Sequence, residues 1–213
     1  MAEVYRDGKI WVQEYKRGKP QYKVKVSGKT NKRGTKITFE ADLEIFQKIE
    51  FGLQTILDHL RQQAYLTRGV KIIVKDERES GAKTAYGFYF EGGVASYVRH
   101  LNHNKKAKHE NIFYVKKEVE GLDVEVSFQY TEEYKESLFA FANNIYNPEG
   151  GTHVIGFRTA LTRILNSYAR KNGYLKEKDE NLTGDDVREG LTAVISVKIR
   201  DPQFEGQTKA KLG

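Results

Sequence analysis

The stretch TGDDVREGLTAVISVKIRDPQFEGQTK, which runs from Thr183 to Lys209, decides the fold of this chain. Thr183 and Asp186 are spaced so that each side chain can cap a free backbone amide at the start of a helix. Apolar and polar residues then alternate over Leu191–Lys198, which predicts a strand. A loop containing proline and glycine follows, and its tip presents Lys209. A capped helix start, a strand and an exposed loop are therefore predicted in that order.

Hydrophobic spacing predicts further elements upstream of this stretch. Three helices are predicted from apolar residues at helical spacing. The first has Leu53, Ile56, Leu57, Leu60 and Ala64 and stops near Gly69, and the second has Val94, Tyr97, Val98 and Leu101. The third is capped by Thr152 and has Val154, Phe157, Leu161, Ile164, Leu165 and Tyr168. Strands are predicted at Val70–Val74, Tyr86–Phe90, Ile112–Val119, Leu122–Tyr130 and Leu138–Ala142, with a hairpin across Glu120-Gly121. Val4–Glu40 is typical of a meander of short strands without a covering helix. These elements predict an α+β sandwich with one helical layer.

Composition excludes several classes of protein. The 213 residues include no cysteine, so neither disulfides nor thiol-bound metals hold the fold. No apolar run approaches the ~18 residues that a membrane span needs, and the first residues lack the apolar segment of a secretory signal. The net charge of +7 favours polyanionic partners such as nucleic acid. We therefore expect a cytoplasmic protein without a membrane partner.

Two motifs that suggest other chemistry have simpler interpretations. Ser27–Thr30 resembles the end of a phosphate-binding loop, but Lys23 occupies the position where that loop needs its first glycine. A turn between strands is the preferred interpretation. His100 and His103 have the spacing of metal ligands and His109 follows, but no cysteine or carboxylate is placed to complete a site. No metal site is predicted.

Three groups of residues resemble, in the same order, motifs of one enzyme family. Tyr5–Lys9 with Gly34-Thr35 is similar to the closing strands of the ATPase domain in the DNA gyrase B family of type IIA topoisomerases. Glu149–His153, followed by Gly156–Arg158, is similar to the EGGTH and GFR signature of that family. Gln207–Lys209 resembles its QTK loop. The resemblance extends from about Val4 to Leu212, essentially the whole chain.

The resemblance implies a domain organisation. Residues 1–44 would be the C-terminal strands of a GHKL-type ATPase domain, and residues 45–213 a transducer domain that ends in the QTK loop. The transducer of the family is a ribosomal-protein-like α/β sandwich with a mixed sheet, helices on one face and a left-handed crossover. The family's catalytic glutamate, magnesium-binding asparagine and adenine-reading aspartate belong to motifs that are absent from these 213 residues. We therefore expect a piece of the family's protein that is inactive alone.

The resemblance also implies roles in the nucleotide site. Lys209 and Gln207 would be catalytic as well as nucleotide-binding, since an ammonium and an amide can stabilise charge on the γ-phosphate. Arg6 would lie at the rim of the nucleotide pocket, and Thr35 in the polar network under the adenine. Without the family, Lys209 would be interpreted as solvated surface, Arg6 as a strand-end arginine and Thr35 as a turn residue.

One arginine is a candidate DNA ligand. Arg158 flanks the apolar stripe of its helix, about 70° from the centre of that stripe at about 100° per residue. Arg163 and Arg170 are expected on the opposite, solvent-exposed face of the helix. In the family, basic side chains of the transducer line a cavity that receives DNA, and Arg158 is the candidate for that role.

The function that the resemblance implies is that of the ATP-hydrolysing component of DNA gyrase, which couples ATP hydrolysis to DNA strand passage and negative supercoiling. ATP and Mg²⁺ would be its cofactors, neither bound tightly by these residues alone. Its partners would be double-stranded DNA, the DNA gyrase A protein and, with ATP bound, a second copy of DNA gyrase B. The equivalent component of topoisomerase IV shares every motif quoted and is one alternative. A freestanding nucleic-acid-binding module is the alternative from another class.

Overall fold

The first 52 residues form an antiparallel sheet. The computed structural model of the protein describes residues 1–78 and 84–213, which divide into two units, Met1–Gly52 and Leu53–Gly213. The strands of the first unit are β1 (Ala2–Arg6), β2 (Lys9–Gln13), β3 (Tyr15–Lys16), β4 (Lys19–Pro20), β5 (Lys25–Lys29) and β6 (Gly34–Ile37). Four of them form a sheet in the order β5-β2-β1-β6, while β3 and β4 pair separately. The predicted short strands are confirmed, but their order is not that of a meander, because β6 pairs with β1 and β5 pairs with β2.

Turn chemistry fixes the hairpin between β1 and β2. Asp7 and Gly8 both have positive φ, 52° and 73°, as a two-residue hairpin turn with the right twist requires. Ser27–Thr30 does not form the predicted turn, because β5 runs to Lys29 and pairs with β2. A phosphate-binding loop is thereby excluded at this position.

The sheet of the first unit leaves most of its apolar side chains uncovered. Within residues 1–52, all of which the structure describes, Val12 is the one apolar side chain that is buried. Ile37 and Phe39 are 66% and 75% exposed. The residues that this unit contains therefore supply half of a sandwich, since a sheet needs a second layer to bury its apolar face.

The second unit is built on a five-stranded mixed sheet. The strands of this unit are β7 (Ile72–Lys75), β8 (Ala85–Phe88), β9 (Phe113–Val119), β10 (Leu122–Tyr130), β11 (Ser137–Ala142), β12 (Ile145–Tyr146) and β13 (Leu191–Lys198). Its helices are α1 (Leu53–Leu66), α2 (Gly93–Leu101), α3 (Thr152–Lys171) and α4 (Gly184–Arg188). The main sheet has the order β12-β11-β13-β10-β9, and β7 pairs with β8. The pair β11 and β13 is parallel, and its neighbours are antiparallel. The predicted α+β class, the mixed sheet and the Glu120-Gly121 hairpin are confirmed.

Helices cover both faces of this sheet, not the single face that was predicted. On one face, Val94 and Val98 of α2 pack with Phe141 and Val194. On the other face, Val154 of α3 packs in a cluster that includes Ala140, Ala142, Ile195 and Val197. Every residue from Leu191 to Val197 is consequently buried, including Thr192 and Ser196. The alternation that predicted β13 therefore does not mark a solvent face, because β13 is central.

Helix α3 begins and packs differently from its sequence pattern. Gly151 is its N-cap, and Thr152, the predicted cap, is the first helical residue, because Gly151 has the non-helical backbone and its carbonyl accepts the first helical bond, from the Ile155 amide at 3.1 Å. The predicted stripe is buried only in part: Ile164 and Tyr168 are 59% and 58% exposed. Helix α4 has the predicted capping box, in which Thr183 and Asp186 each bond the other's backbone amide.

Candidate functional site

The tip of the C-terminal loop is a tight, exposed turn. The amide of Lys209 donates to the carbonyl of Gly206 at 3.0 Å, so Gln207 and Thr208 occupy the two central positions. All three side chains of Gln207–Lys209 are exposed. Lys209 has a φ of 56°, a left-handed conformation that costs a residue with a Cβ about 1 kcal/mol or more. Contacts with other residues must hold this conformation.

Leu212 anchors the loop to the body of the second unit. Its amide donates to the Gly150 carbonyl at 3.0 Å, and its carbonyl accepts from Thr152 at 3.1 Å. It also bridges to Phe204 in the outgoing arm of the loop. The Leu212 side chain is 3% exposed and lies in the same cluster as Val154 and Ile195. The loop is therefore closed at its base by backbone bonds and by burial in the core.

The two glycines of Glu149–His153 make this docking possible. Gly150 and Gly151 have φ values of 70° and 135°, which residues with a Cβ adopt rarely or with strain. A Cβ on Gly151 would lie 2.7 Å from the amide nitrogen of Leu212. The EGGTH segment thus binds the segment around Leu212 that follows the loop, a role that only the tertiary structure reveals.

Two contacts restrain Lys209, one to its backbone and one to its ammonium group. Its carbonyl accepts a 2.7 Å hydrogen bond from Nδ2 of Asn147, a buried residue that sequence reasoning missed. Its ammonium lies 5.7 Å from the centre of the Phe204 ring, within cation–π range. Among the described residues no carboxylate forms a salt bridge with Lys209, so the charge of the side chain is available to a ligand.

His153, in the first turn of α3, is a half-buried base close to Gly150 and Gly151. Both ring nitrogens are inaccessible and without a hydrogen-bond partner among the described residues. Burial lowers the pKa of His153 below its ordinary value, because the charged form is disfavoured away from water. The neutral imidazole is therefore the form that the folded protein stabilises.

Arg6 and Thr35 lie on one face of the first unit's sheet. Thr35 of β6 is directly opposite Val4 of β1, and Arg6 is two residues farther along β1. Because side chains alternate along a strand, all three project from the same side. Arg6 also lines a cavity of about 450 Å³ together with Lys32 and Arg33. Both candidate nucleotide residues are thus near neighbours, and both are exposed.

Arg158 lies in a groove of about 630 Å³ beside α3 that three further arginines line, Arg163, Arg170 and Arg188. Arg163 is exposed, as expected of the solvent face, whereas Arg170 is half-buried, and both line the same groove as Arg158. Arg158 donates from Nε to Glu136 at 3.2 Å. Arg188 lies 3.8 Å from the same carboxylate.

The arginines of this groove differ in how far they are free to bind a ligand. Arg170 donates to the side chain of Asn181 and to two backbone carbonyls. Arg163 forms no salt bridge or side-chain hydrogen bond with any described residue. The charge of Arg158 is partly neutralised by Glu136. Arg163 is therefore the arginine that is freest to bind a ligand, and the sequence did not indicate this.

The histidines considered as metal ligands make other contacts. The His100 and His103 rings stack with centroids 5.6 Å apart. His109 bonds the Asn111 carbonyl through Nδ1 at 2.6 Å and accepts from the Tyr130 amide through Nε2 at 3.1 Å. Within residues 1–78 and 84–213, no group of three or more histidines and carboxylates is arranged to hold a metal ion. No helix in those ranges is both long and apolar enough to cross a bilayer.

Comparisons with known proteins identify one family repeatedly. The family model for DNA gyrase B matches residues 93–213. A DNA gyrase B protein from Bacillus mycoides is 49% identical over 211 residues, which are 99% of this chain and 52% of that protein. The chain therefore spans about half the length of this curated relative.

Solved structures of the same kind share the fold. The 43K ATPase domain of Thermus thermophilus gyrase B has a TM-score of 0.84 and 38% identity, covering 99% of this chain and 57% of that one. The ATP-binding domain of topoisomerase IV from Francisella tularensis has a TM-score of 0.82 and 28% identity, with coverage of 99% and 57%. The fold is therefore shared with both gyrase B and topoisomerase IV structures. The curated relatives from Bacillus mycoides and Clostridium acetobutylicum, each 49% identical to this chain, are DNA gyrase B proteins.

Proposed function

Because the chain belongs to the DNA gyrase B family, we propose that it forms part of the ATP-hydrolysing component of a DNA gyrase. The observation that carries this proposal is the docking of Leu212 on Gly150 and Gly151, which fixes the exposed turn at Gln207–Lys209. A loop tied down at its base can present a charge at a fixed place, as stabilisation of a transition state requires.

In this proposal Lys209 and Gln207 contact the γ-phosphate of ATP. The Lys209 ammonium offsets the negative charge that spreads over the phosphoryl oxygens as the bond to the leaving group breaks. Gln207 donates its amide to the same group and orients it. These donor types fit a phosphate. In this proposal residues other than those described bind Mg²⁺, because the described residues offer no cluster of histidines and carboxylates that would hold the ion.

The chain in this proposal contains parts of two domains of the family, whose boundary after residue 44 lies within the first unit, Met1–Gly52. Residues 1–44 are proposed as closing strands of the ATPase domain, where Arg6 reaches the nucleotide rim and Thr35 the adenine side. The uncovered apolar face of this sheet supports the assignment, since it calls for a second layer. Residues 45–213 are proposed as the transducer, with its crossover from β11 to β13 through α3.

DNA is the proposed partner of the groove beside α3. Four arginines along one groove favour a phosphate backbone, and Arg163 is the exposed one of the four. The DNA gyrase A protein, a second copy of DNA gyrase B in the ATP-bound state and a cytoplasmic location follow from family membership as parts of the same proposal.

Supercoiling of relaxed plasmid tests this function. A protein of the relatives' full length that carries this chain is combined with DNA gyrase A, ATP and Mg²⁺. Negative supercoils that appear only with ATP are the expected result. Decatenation without supercoiling would assign the chain to topoisomerase IV. Tight DNA or RNA binding without any ATP dependence would favour the freestanding nucleic-acid-binding module.

A further inference from the structure

Asn147 lies beneath the loop that carries Lys209. It is 1% exposed and follows β12, at the edge of the main sheet. Its Nδ2 donates to the Lys209 carbonyl at 2.7 Å. Its own amide donates to the Ala140 carbonyl at 2.8 Å, and its carbonyl accepts from Gly150 at 2.9 Å. One buried residue thus joins the sheet, the Gly150-Gly151 segment and the loop.

The side chain of Asn147 makes this bond at a cost. Its Oδ1 is buried and has no hydrogen-bond partner among the described residues. A buried acceptor without a partner destabilises the folded protein, so an apolar side chain of similar size would serve packing better. The orientation of the amide is fixed, since only the nitrogen can donate to a carbonyl. What this side chain contributes is therefore the single bond to Lys209.

The bond from Asn147 restrains a residue whose backbone conformation is unfavourable. Lys209 has a φ of 56°, and surrounding contacts have to maintain such a conformation. Rotation of its backbone would swing the ammonium away from the position that the turn gives it. We infer that Asn147 is a positioning residue for the proposed phosphoryl transfer, acting through the backbone of Lys209 without touching nucleotide. This inference rests on the proposed role of Lys209.

The chain offers a matched control for this residue. Asn102 is 6% exposed, donates through Nδ2 to Gln129 at 3.0 Å, and also has a buried Oδ1 without a partner among the described residues. It differs from Asn147 in that its side chain bonds a strand of the sheet, not the loop. Asn102→Ala should therefore match the structural damage of Asn147→Ala while leaving Lys209 in place.

The test measures kcat and KM for ATP in the full-length protein, with thermal unfolding of each variant. Asn147→Ala should lower kcat roughly tenfold to a hundredfold with little change in KM, since misplacement of a catalytic group acts on the transition state. Asn102→Ala should lower kcat less than twofold, roughly within the error expected for a site uncoupled to catalysis. Asn147→Leu and Asn102→Leu keep side-chain size if the alanine variants do not fold.

A double variant separates positioning from general damage. If Asn147 acts through Lys209, then Asn147→Ala should reduce kcat no further once Lys209→Ala is present. Independent, multiplied losses would overturn the inference, as would equal losses of kcat in the Asn147 and Asn102 variants. A normal kcat for Lys209→Ala would overturn the proposed role of Lys209 itself. A low kcat for Lys209→Ala with a normal kcat for Asn147→Ala would overturn only the positioning role.

Discussion

A Cβ on Gly151 would lie 2.1 Å from the carbonyl oxygen of Leu212, a distance that real side chains essentially never show. The two residues are 61 positions apart in the chain, yet they form a parallel bridge. The φ of 135° at Gly151 independently excludes most other residues. This contact joins the start of α3 to the base of the loop that carries Lys209.

Gly151→Ala should destabilise the protein and detach the loop. We expect a loss of roughly 1–3 kcal/mol from backbone strain alone, with the clash adding to it. Gly156→Ala is the control, because a Cβ there meets nothing within 4 Å and alanine favours a helix interior by about 0.5–1 kcal/mol. Denaturant unfolding measures both variants. Equal stability of the two would contradict the proposed docking.

Lys209→Ala should lower ATP hydrolysis far more than nucleotide affinity in the full-length protein. Loss of one electrostatic contact to the transition state costs about 3–4 kcal/mol, or a hundredfold or more in rate. Lys211→Ala is the neighbouring control, since Lys211 is paired with Glu205 at 2.7 Å. Steady-state hydrolysis is compared with direct nucleotide binding. Parallel losses of rate and affinity would make Lys209 a simple binding residue.

The 213-residue chain by itself should not turn over ATP. Hydrolysis needs a positioned general base and a metal ion, whereas the candidate residues here are accessory contacts. Phosphate release by the purified chain is compared with that of the same chain carrying Lys209→Ala. Turnover above this control would show that a complete site is present.

Arg158→Ala and Arg163→Ala should both weaken the stimulation of ATP hydrolysis by DNA. Each phosphate contact that is lost should reduce the salt dependence of DNA binding by about one unit in slope. Only Arg158→Ala should also lower the melting temperature, because it leaves Glu136 without its closest partner. Glu136→Gln separates the effects, since it removes the ion pair and keeps the arginine. Unchanged stimulation in both arginine variants would remove the groove from the DNA path.

Stability should fall as the solution becomes acidic, in part because of His153. Its folded-state pKa lies below the unfolded value of about 6.5. The unfolded chain therefore binds a proton first, and the free energy of unfolding decreases as pH falls through the unfolded value of about 6.5 towards the lower folded-state pKa. His153→Gln should flatten this dependence, measured by urea unfolding. His100, whose pKa burial also lowers, should leave a residual slope.

Local elements of this fold could be predicted because they depend on neighbours within about four residues. The Thr183–Asp186 capping box and the Glu120-Gly121 hairpin turn are set by side chains and φ values in the turn itself. The strand at Leu191–Lys198 followed from its pattern, although burial on both faces did not. The hydrophobic repeat of about 3.6 residues indicates a helix, and the repeat of about 2 residues indicates a strand. Neither repeat indicates which other elements will cover a strand.

The sequence by itself determined most of the elements, their order and the loop that exposes Gln207 and Lys209. Only the tertiary structure decided that Gly151 receives Leu212, that Asn147 bonds Lys209, and that Glu136 faces Arg158. These pairs are separated by 22 to 62 residues. Their geometry depends on how the sheet, α3 and the C-terminal segment pack together, because long-range contacts form only where packing brings distant backbones within hydrogen-bond reach.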